Sequence, residues 1–107
     1  MPPARPPRRR PAASWLPTVV PTLQPLLEAG PATRGLAVSV RGGHLILARA
    51  DDLGPDPRFR LTPLGGTAYG LSLYRRKRWE ALPYQGSLQE LVDVMNTDLQ
   101  HWAADWP

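Results

Sequence analysis

Apolar residues alternate with polar ones through the middle of this chain and recur at helical spacing on either side of it. Leu36, Val38 and Val40 alternate with Ala37, Ser39 and Arg41, the period-two pattern of a half-buried strand. Gly42-Gly43 follows, a strong two-residue hairpin signal, so 44–50 is expected to return as a second strand. The stretch Asp51-Asp52-Leu53-Gly54-Pro55-Asp56-Pro57 reads as a loop. Alternation resumes over 58–62, with Phe59 and Leu61 inward and Arg58 and Arg60 outward. Pro63-Leu64-Gly65-Gly66 is expected to turn or bulge the chain. The run 67–74 then places Tyr69, Leu71 and Leu73 on one face. Arg75-Arg76-Lys77-Arg78 reads as the next turn and 79–84 as the last strand, which Pro83 ends or confines to a sheet edge.

Two helices flank this region. The first spans about 18–29, with Leu23, Leu26 and Leu27 as its apolar stripe and Gly30-Pro31 as its stop. Thr22 as the cap would place Pro25 in the first turn, where its missing N–H has no cost. Thr18 as the cap would leave Pro25 in the interior. The second helix opens with Ser87-Leu88-Gln89-Glu90, a capping box in which hydroxyl and carboxylate bond each other's backbone amides. Leu88, Leu91, Val92, Met95, Leu99 and Trp102 continue it at helical spacing.

The fold class that follows is α+β. Short turns imply an antiparallel meander of four or five strands, with the N-terminal and C-terminal helices packed on one face in a two-layer arrangement. The 107 residues suit one such domain. Residues 14–107 are assigned to it and residues 1–13 to a disordered Pro/Arg-rich tail, because five prolines and four arginines offer nothing to bury.

Charge divides along the same boundary. The net charge of +4 equals the four arginines of the tail, Arg5, Arg8, Arg9 and Arg10. From Ser14 onward nine basic residues balance nine acidic ones. With no Cys there is neither disulfide nor thiolate chemistry. No apolar run approaches the roughly 18 residues that span a bilayer, and Pro17 and Pro21 interrupt the one stretch resembling a secretory signal core. A cytoplasmic protein without a membrane span is expected.

Candidate chemistry is sparse. His44 and His101 show no triad-like pairing with a base and an orienting group, and the helix macrodipole accounts for a His near a helix C-terminus such as His101. Asp51, Asp52 and Asp56 share a loop, but the glycine and glutamate of a calcium-binding loop are missing at the required spacing. Neither Gly pair opens a helix after a strand, as a phosphate cradle requires. No catalytic residue, metal or cofactor is therefore assigned.

Two features point instead to binding. Tyr74-Arg75-Arg76-Lys77-Arg78-Trp79 combines cations with flanking aromatics, a mixture suited to phosphates and bases. Arg58 and Arg60 extend that patch if they share its surface. At the far end, Trp106 follows Trp102 by four residues, a candidate aromatic anchor for a partner or a second copy. The leading expectation is a small non-enzymatic binding or adaptor domain working through protein contacts or self-association. The alternative is a nucleic-acid-binding protein that uses Arg75–Arg78 and the basic tail.

Overall fold

A computed structural model of the chain describes residues 15–104. The proposed tail, residues 1–13, and Trp106 lie outside the described residues. A short 3-10 helix, Leu16–Val19, leads into helix α1 (Val20–Ala29). Five strands follow, β1 (Ala37–Arg41), β2 (His44–Arg49), β3 (Asp56–Gly65), β4 (Ala68–Arg75) and β5 (Arg78–Gly86). Helices α2 (Leu88–Asn96) and α3 (Gln100–Ala103) end the described chain. The class is α+β. All strand pairings are antiparallel, and the spatial order β1-β2-β3-β4-β5 is the sequence order.

The inward residues of the strands and the apolar stripes of the helices form one cluster. Leu45, Leu47, Phe59, Leu61, Leu71 and Leu73 are buried with Leu23, Leu27, Leu91, Val92 and Met95. Register explains the sheet's share. Leu45 pairs with Leu61 and Leu61 with Leu71, while Leu47 pairs with Phe59 and Phe59 with Leu73. Paired residues point to the same side of a sheet, so two apolar rows cross three strands. Val38 and Val40 extend these rows on β1, opposite Leu47 and Leu45.

Turn chemistry sets this register. Gly42 and Gly43 both have positive φ, 54° and 82°, which suits the two-residue hairpin turns that match strand twist. The β4–β5 turn has the same signs at Arg76 (φ 52°) and Lys77 (φ 65°), without glycine. Pro83 lies on β5, an edge strand of the sheet.

Several expected boundaries shift. Neither Thr18 nor Thr22 caps α1. The helix continues from the 3-10 turn with no side-chain cap bond, and Pro25 is interior. Strand β3 runs through Pro63 to Gly65, longer than the alternation indicates, and the turn falls on Gly66 and Thr67. The C-terminal helix is two helices. Asn96 turns its side chain to the α1–β1 loop, accepting from the amides of Ala32 and Thr33. The chain leaves helical geometry at Thr97 (φ −120°, ψ −83°). This break shifts the apolar phase. Ala103 becomes fully buried and Trp102 remains 41% exposed, so Trp102 does not continue the buried stripe as its spacing suggests.

Candidate functional site

The basic residues fall into two groups by what they touch. Arg34, Arg49, Arg58 and Arg75 are engaged by the fold. Arg34 Nε donates to the Glu28 carbonyl. Arg49 donates to the carbonyls of Ala103, Arg34 and Ala32 at 2.9, 2.7 and 2.7 Å, tying β2 to α3 and to the loop after α1. Arg75 pairs with Glu80 at 3.5 Å, and its guanidinium lies 5.5 Å from the Trp102 ring centre. Arg41 and Arg60, by contrast, make no ion pair among the described residues, and neither do Arg76, Lys77 and Arg78 at the β4–β5 turn.

Arg58 corrects an expectation. Alternation points it outward with Arg60, but the β2–β3 ladder steps from Leu47↔Phe59 to Ala48↔Pro57 and leaves Arg58 as an extra residue. An inserted residue breaks the alternation. Arg58 accordingly reaches α3, where Nη1 donates to the carbonyls of Trp102 and Ala104 at 3.1 and 3.0 Å. Asp56 pairs with it at 2.9 Å. Cations are favoured at the C-terminal end of a helix, where carbonyls lack partners.

The expected continuous patch of Arg58, Arg60 and Arg75–Arg78 is therefore divided. Arg75 and Arg78 pair across the β4–β5 hairpin, next to the pair Tyr74↔Trp79. Alternation puts these neighbouring pairs on opposite sides of the sheet. Arg76 and Lys77 occupy the tip.

A different set of residues converges on the side where Tyr74 and Trp79 lie. Arg41, Gly42, His44, Ile46, Pro57, Arg60, Tyr74 and Trp79 line a shallow groove of about 390 Å³. None of these residues is acidic. The Tyr74 and Trp79 rings pack at 4.9 Å between centres with a 57° tilt. The Arg60 guanidinium lies 5.0 Å from the Trp79 ring centre, a distance at which a cation is attracted by the ring face. Its Nε is buried with no hydrogen-bond partner, so the stack on Trp79 is the interaction that orients the head group.

His44 lines the groove beside Arg41. Its Nδ1 and Thr62 Oγ1 are hydrogen-bonded at 2.9 Å. Burial first, and then the positive charge of Arg60, hold the imidazole below its ordinary pKa of 6.5. The ring is therefore predominantly uncharged at neutral pH. It presents a polar group to the groove, and the positive charge comes from Arg41 and Arg60.

The described acids lie elsewhere. Glu28, Glu90, Asp93 and Asp98 belong to helices or their ends, Asp51, Asp52 and Asp56 to the β2–β3 loop and its exit, and Glu80 is beside Arg75. Among the described residues no group of three His, Asp or Glu is placed to hold a metal ion. No described helix is long and apolar enough to cross a membrane.

Sequence reasoning named Arg60, Tyr74 and Trp79 but missed Arg41 and His44. The signal was available. Once Val40, Leu45, Phe59 and Leu73 are set inward, their neighbours Arg41, His44, Arg60 and Tyr74 must share the other side. No protein-family model, curated protein or solved structure matches this chain.

Proposed function

We propose that this chain is a small binding domain, without chemistry of its own, that takes a negatively charged partner on a sheet face the helices leave uncovered. In this reading α1 and α2 cover the opposite face, giving a two-layer packing. The shared burial of Leu23, Leu27, Leu91 and Met95 with the inward strand residues supports that arrangement. An antiparallel sheet tolerates one open face.

The observation that carries the proposal is the pair of unneutralised cations, Arg41 and Arg60, in a groove with no acidic lining residue. The four engaged arginines secure elements of the fold. These two do not, and from Ser14 onward the sequence has as many acids as bases. A positive groove without a lining acid attracts anions even where the domain's charges balance overall. Binding without catalysis is supported by the site's composition. Its one imidazole is bonded to a threonine hydroxyl, and no carboxylate lines the groove to orient it.

The test is binding of a labelled polyanion at about 50 mM salt, where charge attraction is weakly screened. The full-length chain is used with Arg5, Arg8, Arg9 and Arg10 changed to Gln, so that the tail adds no charge. Binding should be salt-sensitive and should be lost in the Arg41→Gln/Arg60→Gln variant. Equal binding by that variant would place the anion site elsewhere and overturn the proposal.

A further inference from the structure

We infer that the groove recognises a nucleotide unit, with a base stacked against the Arg60–Trp79–Tyr74 cluster and a phosphate held by Arg41. This inference rests on the proposed anion-binding face and names its ligand chemistry. Charge alone would be served by arginines without aromatic neighbours. Here the aromatic and cationic groups share one lining, and the Arg60 guanidinium is already held near a ring. A guanidinium plane and an aromatic ring are both surfaces on which bases stack. The groove's volume of about 390 Å³ lies near the small end of the range for ligand pockets, roughly 300–1,000 Å³.

Positions along the sheet fit such a ligand. Tyr74 and Trp79 come from the β4–β5 hairpin, Arg60 from β3 beside it, and Arg41 and His44 from the β1–β2 hairpin beyond. An aromatic end and a cationic end therefore lie along one surface. His44, adjacent to Arg41 across the Gly42-Gly43 turn, offers a hydrogen-bonding edge between them. Base plus phosphate needs all three features. An acidic peptide segment needs only the charge.

The nucleotide unit has two sources, a free mononucleotide or a single-stranded nucleic acid, and the test separates them. The full-length chain with its four tail arginines changed to Gln is titrated with an eight-nucleotide single strand, with adenosine monophosphate, and with two base-free anions, polyphosphate and poly-glutamate. Titrations are repeated for Trp79→Leu, which keeps an apolar side chain and removes the stack, and for Arg60→Lys, which keeps charge and removes the planar head group. Thermal melts establish that each variant folds. If Trp79→Leu does not fold, Tyr74→Leu replaces it.

The expected result is tighter binding of the base-containing ligands, weakened roughly tenfold by Trp79→Leu and weakened also by Arg60→Lys. Polyphosphate and poly-glutamate, which offer charge but no base, should lose clearly less to Trp79→Leu than the base-containing ligands do. Stack-dependent binding of adenosine monophosphate would identify the free nucleotide as sufficient. Stack-dependent binding of the strand alone would identify a single-stranded nucleic acid. If base-free anions bind as tightly as the strand, and Trp79→Leu changes nothing, the nucleotide inference is overturned. The anion-binding face would then stand, with an acidic protein segment as its partner. If no anion binds at about 50 mM salt, both readings fall together.

Discussion

Asn96 Nδ2 donates to Thr33 Oγ1 at 3.0 Å, joining residues 63 positions apart in the chain. The same side chain accepts from the amides of Ala32 and Thr33 at 2.8 and 3.2 Å and donates to the Val92 carbonyl at 2.9 Å. One amide group thus anchors the α1–β1 loop to the last turn of α2. Its four bonds use the full capacity of an asparagine side chain. The Thr33 hydroxyl in turn donates to the Leu27 carbonyl at the end of α1.

Asn96→Ala should therefore destabilise the protein by at least about 2 kcal/mol, because it strands two buried amides, each costing about 1–3 kcal/mol. Gly30→Ala should also destabilise it. A Cβ there would collide with Asn96 Nδ2 and Thr33 Oγ1, although the Gly30 backbone dihedrals suit any residue. The two effects should not add, since Asn96→Ala removes the amide group that the added methyl would strike. Denaturant melts of both single variants and the double variant measure this coupling. Strict additivity would show that Gly30 is required for another reason.

The N-terminus of α2 supports a second set of predictions. The Ser87 side chain accepts from the Glu90 amide at 3.1 Å, and the Glu90 carboxylate accepts from the Ser87 amide at 2.8 Å. Ser87→Ala should cost about 0.5–2 kcal/mol. Leu91→Ala, which empties a buried position, should cost about 2–5 kcal/mol. The bonds from Ser87, backbone first, hold the Glu90 pKa below its ordinary value of 4.5. A depressed carboxylate contributes stability above its unfolded pKa and loses it as pH falls through the folded one. Acid titration of stability should be shallower in Glu90→Gln, and an unchanged acid limb would remove Glu90 as a contributor.

That capping box was legible in the sequence because it is local, with four consecutive residues containing the whole motif. Phe59 and Leu61 were legible for the same reason, since alternation needs only neighbours. Arg58 was not, because the extra residue in β3 becomes visible only against β2. Pro57 was the available hint, since a proline cannot donate to the ladder and is tolerated at bulges. The helix break after Asn96 was hidden similarly. It follows Asn96, whose side chain is bonded to a loop 63 residues earlier, and apolar spacing continued past it to Trp102. The groove lay between these cases. Arg60, Tyr74 and Trp79 stood out by composition, while Arg41 and His44 emerge only when the outward sides of four strands are assembled.

The β4–β5 turn predicts a gain rather than a loss. Arg76 and Lys77 occupy left-handed backbone conformations that cost an L-residue with a side chain roughly 1–2 kcal/mol each. Asn-Gly is the favoured pair for such a turn. Arg76→Asn/Lys77→Gly should therefore raise stability by about 1 kcal/mol after the greater chain entropy of glycine is included. Neither residue lines the groove, so anion binding there should be retained. Thermal melts and polyanion titration check the two halves. Lost binding with raised stability would mean that the strained tip, and not the groove, supplies the contact.

The final prediction concerns His44 and links stability to binding. Its neighbours in the groove are Arg41, its cross-strand partner, and Arg60, with the Thr62 hydroxyl on Nδ1 and no lining carboxylate. Burial first, then Arg60, depress its pKa below 6.5. The folded state therefore favours the uncharged ring. Stability from this group is complete above pH 6.5 and is lost as pH falls through the depressed value, because the unfolded chain takes up the proton more readily. Arg60→Gln should raise the pKa only in part, since burial remains. His44→Gln should abolish this component of the pH dependence while leaving a side chain able to bond Thr62. Nuclear magnetic resonance titration of the imidazole resolves the point directly, with His44→Gln identifying which of the two histidine signals belongs to the groove. An anion bound beside Arg41 should move the His44 pKa upward, because a negative charge favours the protonated ring. A His44 pKa unchanged by saturating polyanion would place the bound charge away from this groove.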